Sequence, residues 1–223
     1  MEMNGNTRVG QIAVEHPLAT RVFGRHDIDY CCGGGVPLKD ACASKNLETD
    51  DVLAEIRREV EGSQDSEGRW DRASLSDLID HILTEYHDPL RPELAQLEEM
   101  MSKVVRVHGD KEPEMLPKLS TVFEGLKVEL EEHMAKEEQI LFPLIQSGRG
   151  AMADGPISVM EHEHEAAGAA LRRLRELTHG YTVPENACNT WRALWHRLEE
   201  LEAALHRHIH LENNILFPRA LSS

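Results

Sequence analysis

The chain has 223 residues, with 24 Lys and Arg against 40 Asp and Glu, and a formal net charge of -16. That length can bury a sizeable core. The acidic balance argues against nucleic acid and anionic membrane as partners, because both attract Lys and Arg rather than carboxylates.

No apolar run approaches the roughly 20 residues that a membrane helix needs. The N-terminal MEMNGNTRVGQIAVEHP lacks a basic segment followed by an apolar one, so a cytoplasmic protein is expected. Aromatics are only 4% of the chain, and Leu, Ala, Glu and Arg are frequent, which predicts an all-α fold. The four cysteines include no C-x-x-C pair, and GxGxxG, HExxH and GxSxG are absent. Thirteen histidines are the chemical oddity.

In chain order, residues 1–61 read as a small helical domain around the Gly-rich DIDYCCGGGVP. Residues 62–72, GSQDSEGRWDR, read as a linker. Residues 73–223 read as four long helices, separated at 109–114, 147–156 and 179–185, where Gly and Pro stop helices. Short connections make this an up-down-up-down four-helix bundle.

Each helix carries an apolar seam. In the second it runs Leu119, Phe123, Leu126, Leu130, His133, Glu137, Ile140, Leu144, in steps of four and three. In the fourth it runs Leu194, Leu198, Leu201, Leu205, His208, Glu212, Ile215. The first runs Ile79, Leu83, His87, Leu90, Leu94, Leu97, Met101, Val104, and the third Ile157, Met160, His164, Ala167, Leu171, Leu174. The polar interruptions are therefore His, His and Glu, His, and His and Glu. HMAKEEQILFP at 133–143 and HIHLENNILFP at 208–218 share H-x3-E-x3-LFP, which relates two helical hairpins by a pseudo-two-fold.

Four imidazoles and two carboxylates in an apolar seam cost several kcal/mol unless paired or bound to metal. An i,i+4 His/Glu pair faces one side of a helix, so both side chains can reach one centre. The set His87, His133, Glu137, His164, His208 and Glu212 suits two transition-metal ions bridged by the two Glu, with open positions for a small ligand. Iron is favoured as a redox pair. A layer of His–Glu hydrogen bonds and a dizinc structural site are the alternatives.

The remaining polar residues have weaker signals. His162, His206 and His210 flank seam histidines and should point outward. His108 lies on the first seam, but 21 residues past His87, about 30 Å along a straight helix, and is read as a helix-end residue. Glu129 and Glu163 are candidate carboxylates backing the ligands or lining a channel. Glu138 falls off the seam and should be dispensable. Cys31 and Cys32, on a Gly-flanked turn, read either as exposed thiols that bind metal, exchange disulfides or react with nitric oxide, or as two buried cysteines of a small domain. Cys42 and Cys188 read as ordinary helix cysteines.

Together DIDYCCGGG, YHD at 86–88, HMAKEEQILFP, GPISVMEHEH and HIHLENNILFP resemble the di-iron iron–sulfur cluster repair proteins, the repair of iron centres family. The resemblance spans nearly the whole chain. It implies a vicinal-cysteine domain before a hemerythrin-like bundle, and the same six residues as ligands of two non-haem, carboxylate-bridged iron ions. It also implies repair of iron–sulfur proteins damaged by oxidative or nitrosative stress, by iron donation, with Cys31 and Cys32 as transfer or docking thiols. A di-iron nitric oxide reductase, and a sensor binding oxygen or nitric oxide, are the competing readings. The sequence leaves homodimer formation open.

Overall fold

The computed structural model describes residues 3–62 and 69–223. Among these residues every regular element is helical, and the one β-bridge joins Arg8 to Pro37. Residues 63–68, the middle of the expected linker, lie outside the described residues.

Four short helices come first: α1 (Val9–Glu15), α2 (Ala19–Arg25), α3 (Leu38–Ser44) and α4 (Thr49–Gly62). Their own core includes Ile12, Val22, Phe23, Leu38 and Ile56. The turn carrying the cysteines folds back on α1, with Gly10 N–H donating to Gly34 O at 2.8 Å. A Cβ on Gly34 would stand 2.7 Å from Tyr30 O and 3.0 Å from Gly10 Cα, so the close approach requires glycine there.

The bundle follows. Helix α5 runs Leu75–Ile82, passes through a π turn at Leu83–His87 and continues as Asp88–His108. Helix α6 runs Met115–Lys136, a π turn Glu137–Leu141, and Phe142–Gln146. Helix α7 is Asp154–Leu177, uninterrupted. Helix α8 runs Asn189–Leu211, a π turn Glu212–Leu216, and Phe217–Leu221. Ser74 caps α5, its side chain accepting from Asp77 N–H. The late start of α8 at Asn189 brings His208 level with His164.

All three π turns share one feature in the sequence. Each is followed two residues later by a proline: Pro89, Pro143 and Pro218. Proline lacks an N–H, and its ring collides with the carbonyl four residues back. The turn before it widens, so that Asp88, Phe142 and Phe217 N–H donate five residues back, to Leu83, Glu137 and Glu212. Helix α7 has its proline, Pro156, in the first turn, where the N–H has no intrahelical partner to lose, and it has no π turn; Pro92, inside α5, is accommodated without a second one.

The extra residue corrects the expected seams of α5 and α6, while in α8 the expected Ile215 stays buried beside Leu216. In α6, Ile140 is 57% exposed and Leu141 only 1%, where an unbroken period had placed Ile140 inside. In α5, Ile82 is buried in place of Leu83, which is half-buried. The seam of α7 is buried as expected throughout.

Two apolar clusters fill the bundle. The larger, from Leu90 to the paired Trp191 and Trp195, occupies one end. The smaller, with Ile79, Ile82, Phe142 and Phe217, closes the other. The polar side chains of the seam lie between them.

The N-terminal helices cover part of α8. Ile209 joins their core, and His210, expected to face outward, is only 5% exposed against Tyr30. His206 is half-buried beside the same ring. A face that is outward with respect to the bundle is here inward with respect to a second body. The C-terminal part of the expected linker is also packed: Trp70 stacks on His81, and Arg219 donates to Trp70 O and Ala73 O. Among the described residues no helix is long and apolar enough to cross a membrane.

Candidate metal centre

The six seam residues converge. His87, His208, Glu137 and Glu212 offer ligand atoms within 4.8 Å of one another, and so do His133, His164, Glu137 and Glu212. All six are buried. The two carboxylates belong to both groups, and the histidines divide into the pairs His87–His208 and His133–His164. Two of the three π turns begin at Glu137 and Glu212, and the third ends at His87, so the widened turns carry half of the set.

The hydrogen bonds of three of the four imidazoles sort their two nitrogens. His87 Nδ1 meets Glu138 Oε1 at 2.8 Å, His133 Nδ1 meets Glu163 Oε2 at 2.9 Å, and His164 Nδ1 meets Asn213 Oδ1 at 2.8 Å. Acceptors at all three positions place the proton on Nδ1 and leave the Nε2 lone pair facing inward. There His87 Nε2 lies 3.2 Å from His208 Nε2, and His133 Nε2 lies 3.1 Å from His164 Nε2. Two ligands at right angles on one ion, each at about 2.1 Å, stand about 3 Å apart. Among the described residues neither oxygen of Glu137 has a hydrogen-bond partner, nor has Glu212 Oε2, although imidazole nitrogens approach to 3.2–3.4 Å. Orphaned buried carboxylate oxygens beside inward lone pairs fit a bound cation and not a closed hydrogen-bond layer.

Electrostatics agree. Burial works against charge on His164, but the Glu212 and Glu137 carboxylates outweigh it and raise its pKa to about 9. His87 is raised in the same way, against burial, by Glu137, Glu212 and Glu138. Glu212, although fully buried, is held well below the usual carboxylate range by His208 and His164. The pocket therefore favours positive charge at its centre.

The pseudo-two-fold extends outward. Phe142 packs on His87 and Phe217 stacks on His164, so both LFP phenylalanines wall an imidazole. Glu138 and Asn213 occupy equivalent positions, each following a bridging-candidate Glu and each holding a Nδ1. Glu163 and Tyr86 are also equivalent: Glu163 bonds His133, while Tyr86 stacks on His208. Glu138 is tied to Arg91, and Glu163 to Lys136. Against burial, these cations and the imidazoles hold both carboxyls low.

Glu138 is therefore a correction to the sequence reading, since it is off the seam yet orients His87. Asn213 and Tyr86 were missed, and their only signal was adjacency to a seam residue. Glu129 is exposed at the rim of a cavity of about 220 Å³ whose walls include His133, Glu163, His164 and His208. His162 is exposed. His108 ends the Asp88–His108 segment of α5, outside both groups.

The cysteines sit closer to this centre than their distance in sequence suggests. Asp29 Oδ1 accepts from Cys31 N–H and Cys32 N–H and shapes the turn. Cys31 is buried and Cys32 half-buried, less open than a Gly-flanked turn implied, because the turn docks on α7 and α8. Cys32 Sγ lies 3.5 Å from His164 O, and Asn214 Nδ2 donates to Tyr30 O and Cys31 O at 3.3 Å. The Cys31 thiol points at Cys32 Sγ, 3.8 Å away. That hydrogen bond, with burial and Asp29, pushes the Cys31 thiol up and brings the Cys32 thiol below its ordinary value. Cys42 is buried in α3, whereas Cys188 is exposed and precedes α8 rather than lying within it.

Residues 78–220 match the hemerythrin HHE cation binding domain, and residues 5–59 match a domain of unknown function, DUF542. The iron-sulfur cluster repair protein YtfE of Yersinia pseudotuberculosis serotype O:1b is 46% identical over 219 residues, 97% of each chain. YtfE of Escherichia coli O81 is 46% identical over 214 residues, 96% of each chain. YtfE of Escherichia fergusonii is 45% identical over the same length and share. With a hemerythrin cation-binding domain over most of its length and nearly full-length relatives at this identity, the chain belongs to the iron–sulfur cluster repair family.

Proposed function

We propose that this protein holds two iron ions in the bundle and donates iron to damaged iron–sulfur proteins in the cytoplasm. His87 and His208 would hold one ion, His133 and His164 the other, and Glu137 and Glu212 would bridge them. The observation that carries this reading is the sharing of both buried carboxylates by two groups of inward imidazole nitrogens. Bound there, iron would supply redox chemistry and labile cargo.

The chain's own residues have defined tasks. Glu138, Glu163 and Asn213 hold the Nδ1 protons and so aim the Nε2 lone pairs. Phe142 and Phe217 exclude water from the flanks. Cys32 would be the sulfur that meets iron leaving the His133–His164 side; in support, it abuts the His164 backbone and its thiol is drawn below its ordinary value while that of Cys31 is pushed up. A soft thiolate can compete for iron held by nitrogen and oxygen ligands. The test is restoration of activity to a nitric-oxide-damaged cluster enzyme by the iron-loaded protein. The apoprotein and a Cys31→Ser, Cys32→Ser variant of equal iron content should both be slower.

A second reading, binding or reduction of nitric oxide, is favoured by the cavity of about 220 Å³ that reaches His133, His164 and His208. Production of nitrous oxide under reductant distinguishes it from donation alone.

A further inference from the structure

Far from the metal centre, His108 and Cys188 form a pair of their own. They are brought together by the end of α5 and the start of α8. His108 Nε2 lies 3.2 Å from Cys188 Sγ. The imidazole is only 6% exposed and packs on Trp191, with ring centroids 4.9 Å apart. Its Nδ1 is buried with no hydrogen-bond partner among the described residues, so Cys188 Sγ is the contact its ring nitrogens make there. The sulfur is on an exposed residue.

The bare Nδ1 selects the tautomer. A buried N–H without an acceptor is rarer and more costly than a bare lone pair. The proton therefore sits on Nε2, and the ring donates to sulfur. A ring N–H aimed at sulfur makes a charge-assisted bond when the sulfur is anionic. Cys188 also occupies the residue before the first turn of the Asn189–Leu211 helix, in extended conformation and with no side-chain cap bond. The partial positive charge of the helix N-terminus acts in the same direction.

We infer that Cys188, assisted by His108, is a nucleophilic thiol that forms mixed disulfides with small disulfides. The Cys188 sulfur attacks one sulfur of the disulfide, a new S–S bond forms and the old one breaks. The departing thiolate takes up the proton that Cys188 released, so one small thiol leaves for each protein mixed disulfide formed. The disulfide is the oxidant, and no other co-reactant is needed. An exposed cysteine suits this reaction, because the leaving group departs into solvent. The site depends on neither the metal centre nor the Cys31–Cys32 turn.

The test uses the full chain carrying Ser102→Cys, which adds a thiol at an exposed mid-helix position of α5. The protein is exposed at pH 7 to the neutral probe 2-hydroxyethyl disulfide, and adducts are quantified site by site by peptide mass spectrometry. Cys188 should react about threefold or more faster than the introduced thiol. In His108→Leu the ratio should fall by about half or more, the helix N-terminus remaining. A ratio near one with His108 present, or an unchanged ratio in His108→Leu, overturns the inference. If His108→Leu does not fold, the ratio with His108 present decides alone.

Discussion

Asn213 Oδ1 accepts the Nδ1 proton of His164 at 2.8 Å, where the pseudo-two-fold equivalent, Glu138, takes that of His87. The symmetry is broken on the side where the N-terminal helices dock. Asn213 Nδ2 also reaches Cys31 O at 3.5 Å, and the neighbouring Asn214 holds the same carbonyl. A carboxylate at 213 would lack the N–H that faces this carbonyl. The cysteine turn and one imidazole of the centre therefore share a single amide.

Asn213→Ala should free His164 to rotate and weaken iron binding about 10- to 100-fold, the range found when groups supporting a metal-ligating histidine are removed. Competition with a ferrous chelator measures it. Affinity within twofold of the parent would show that Phe217 and the backbone suffice to hold the ring.

Glu138→Ala should weaken iron binding by a similar factor through His87. The matched control is Gln139→Ala, one residue on and exposed. Equal effects of the two, by the same chelator competition, would contradict the assignment of Glu138 to His87.

The π turn makes a prediction about stability. Leu141→Ala should cost about 2–5 kcal/mol as a buried truncation, whereas Ile140→Ala should stay within about 1 kcal/mol. Denaturant unfolding of the apoprotein reads both. The reverse order would restore an unbroken helical period through Glu137.

The bundle was legible in the sequence because its seams repeat in steps of four and three over long segments. The six polar interruptions were legible because the two halves duplicate their register. The one-residue slip past His87 and Glu137 was not, although Pro89 and Pro143 were its visible mark. Periodicity reads a helix as uniform, and a π turn is a local exception. Glu138, Asn213 and Tyr86 escaped because orienting a ligand requires adjacency to the seam rather than a place on it. His210 was misread because an outward position on one body says nothing of a second body that covers it. The pairing of His108 with Cys188 joins residues 80 apart in sequence, with no shared period to link them.

Residues 73–223 alone should fold as a helical bundle and load iron, because both flanking apolar clusters and all six candidate ligands lie there. Removing residues 1–72 uncovers Ile209 and His210, so the fragment should melt below the full chain. Circular dichroism and elemental analysis of the fragment test this. A fragment that is unfolded with iron supplied would mean that the N-terminal helices are part of the bundle's core.

Two cations held between Glu137 and Glu212 are central to the proposed function, and metal stoichiometry tests them most directly. Elemental analysis of the full chain purified from iron-replete cells should find two irons per chain. One iron or none, or zinc in stoichiometric amount that iron does not replace, would contradict that function.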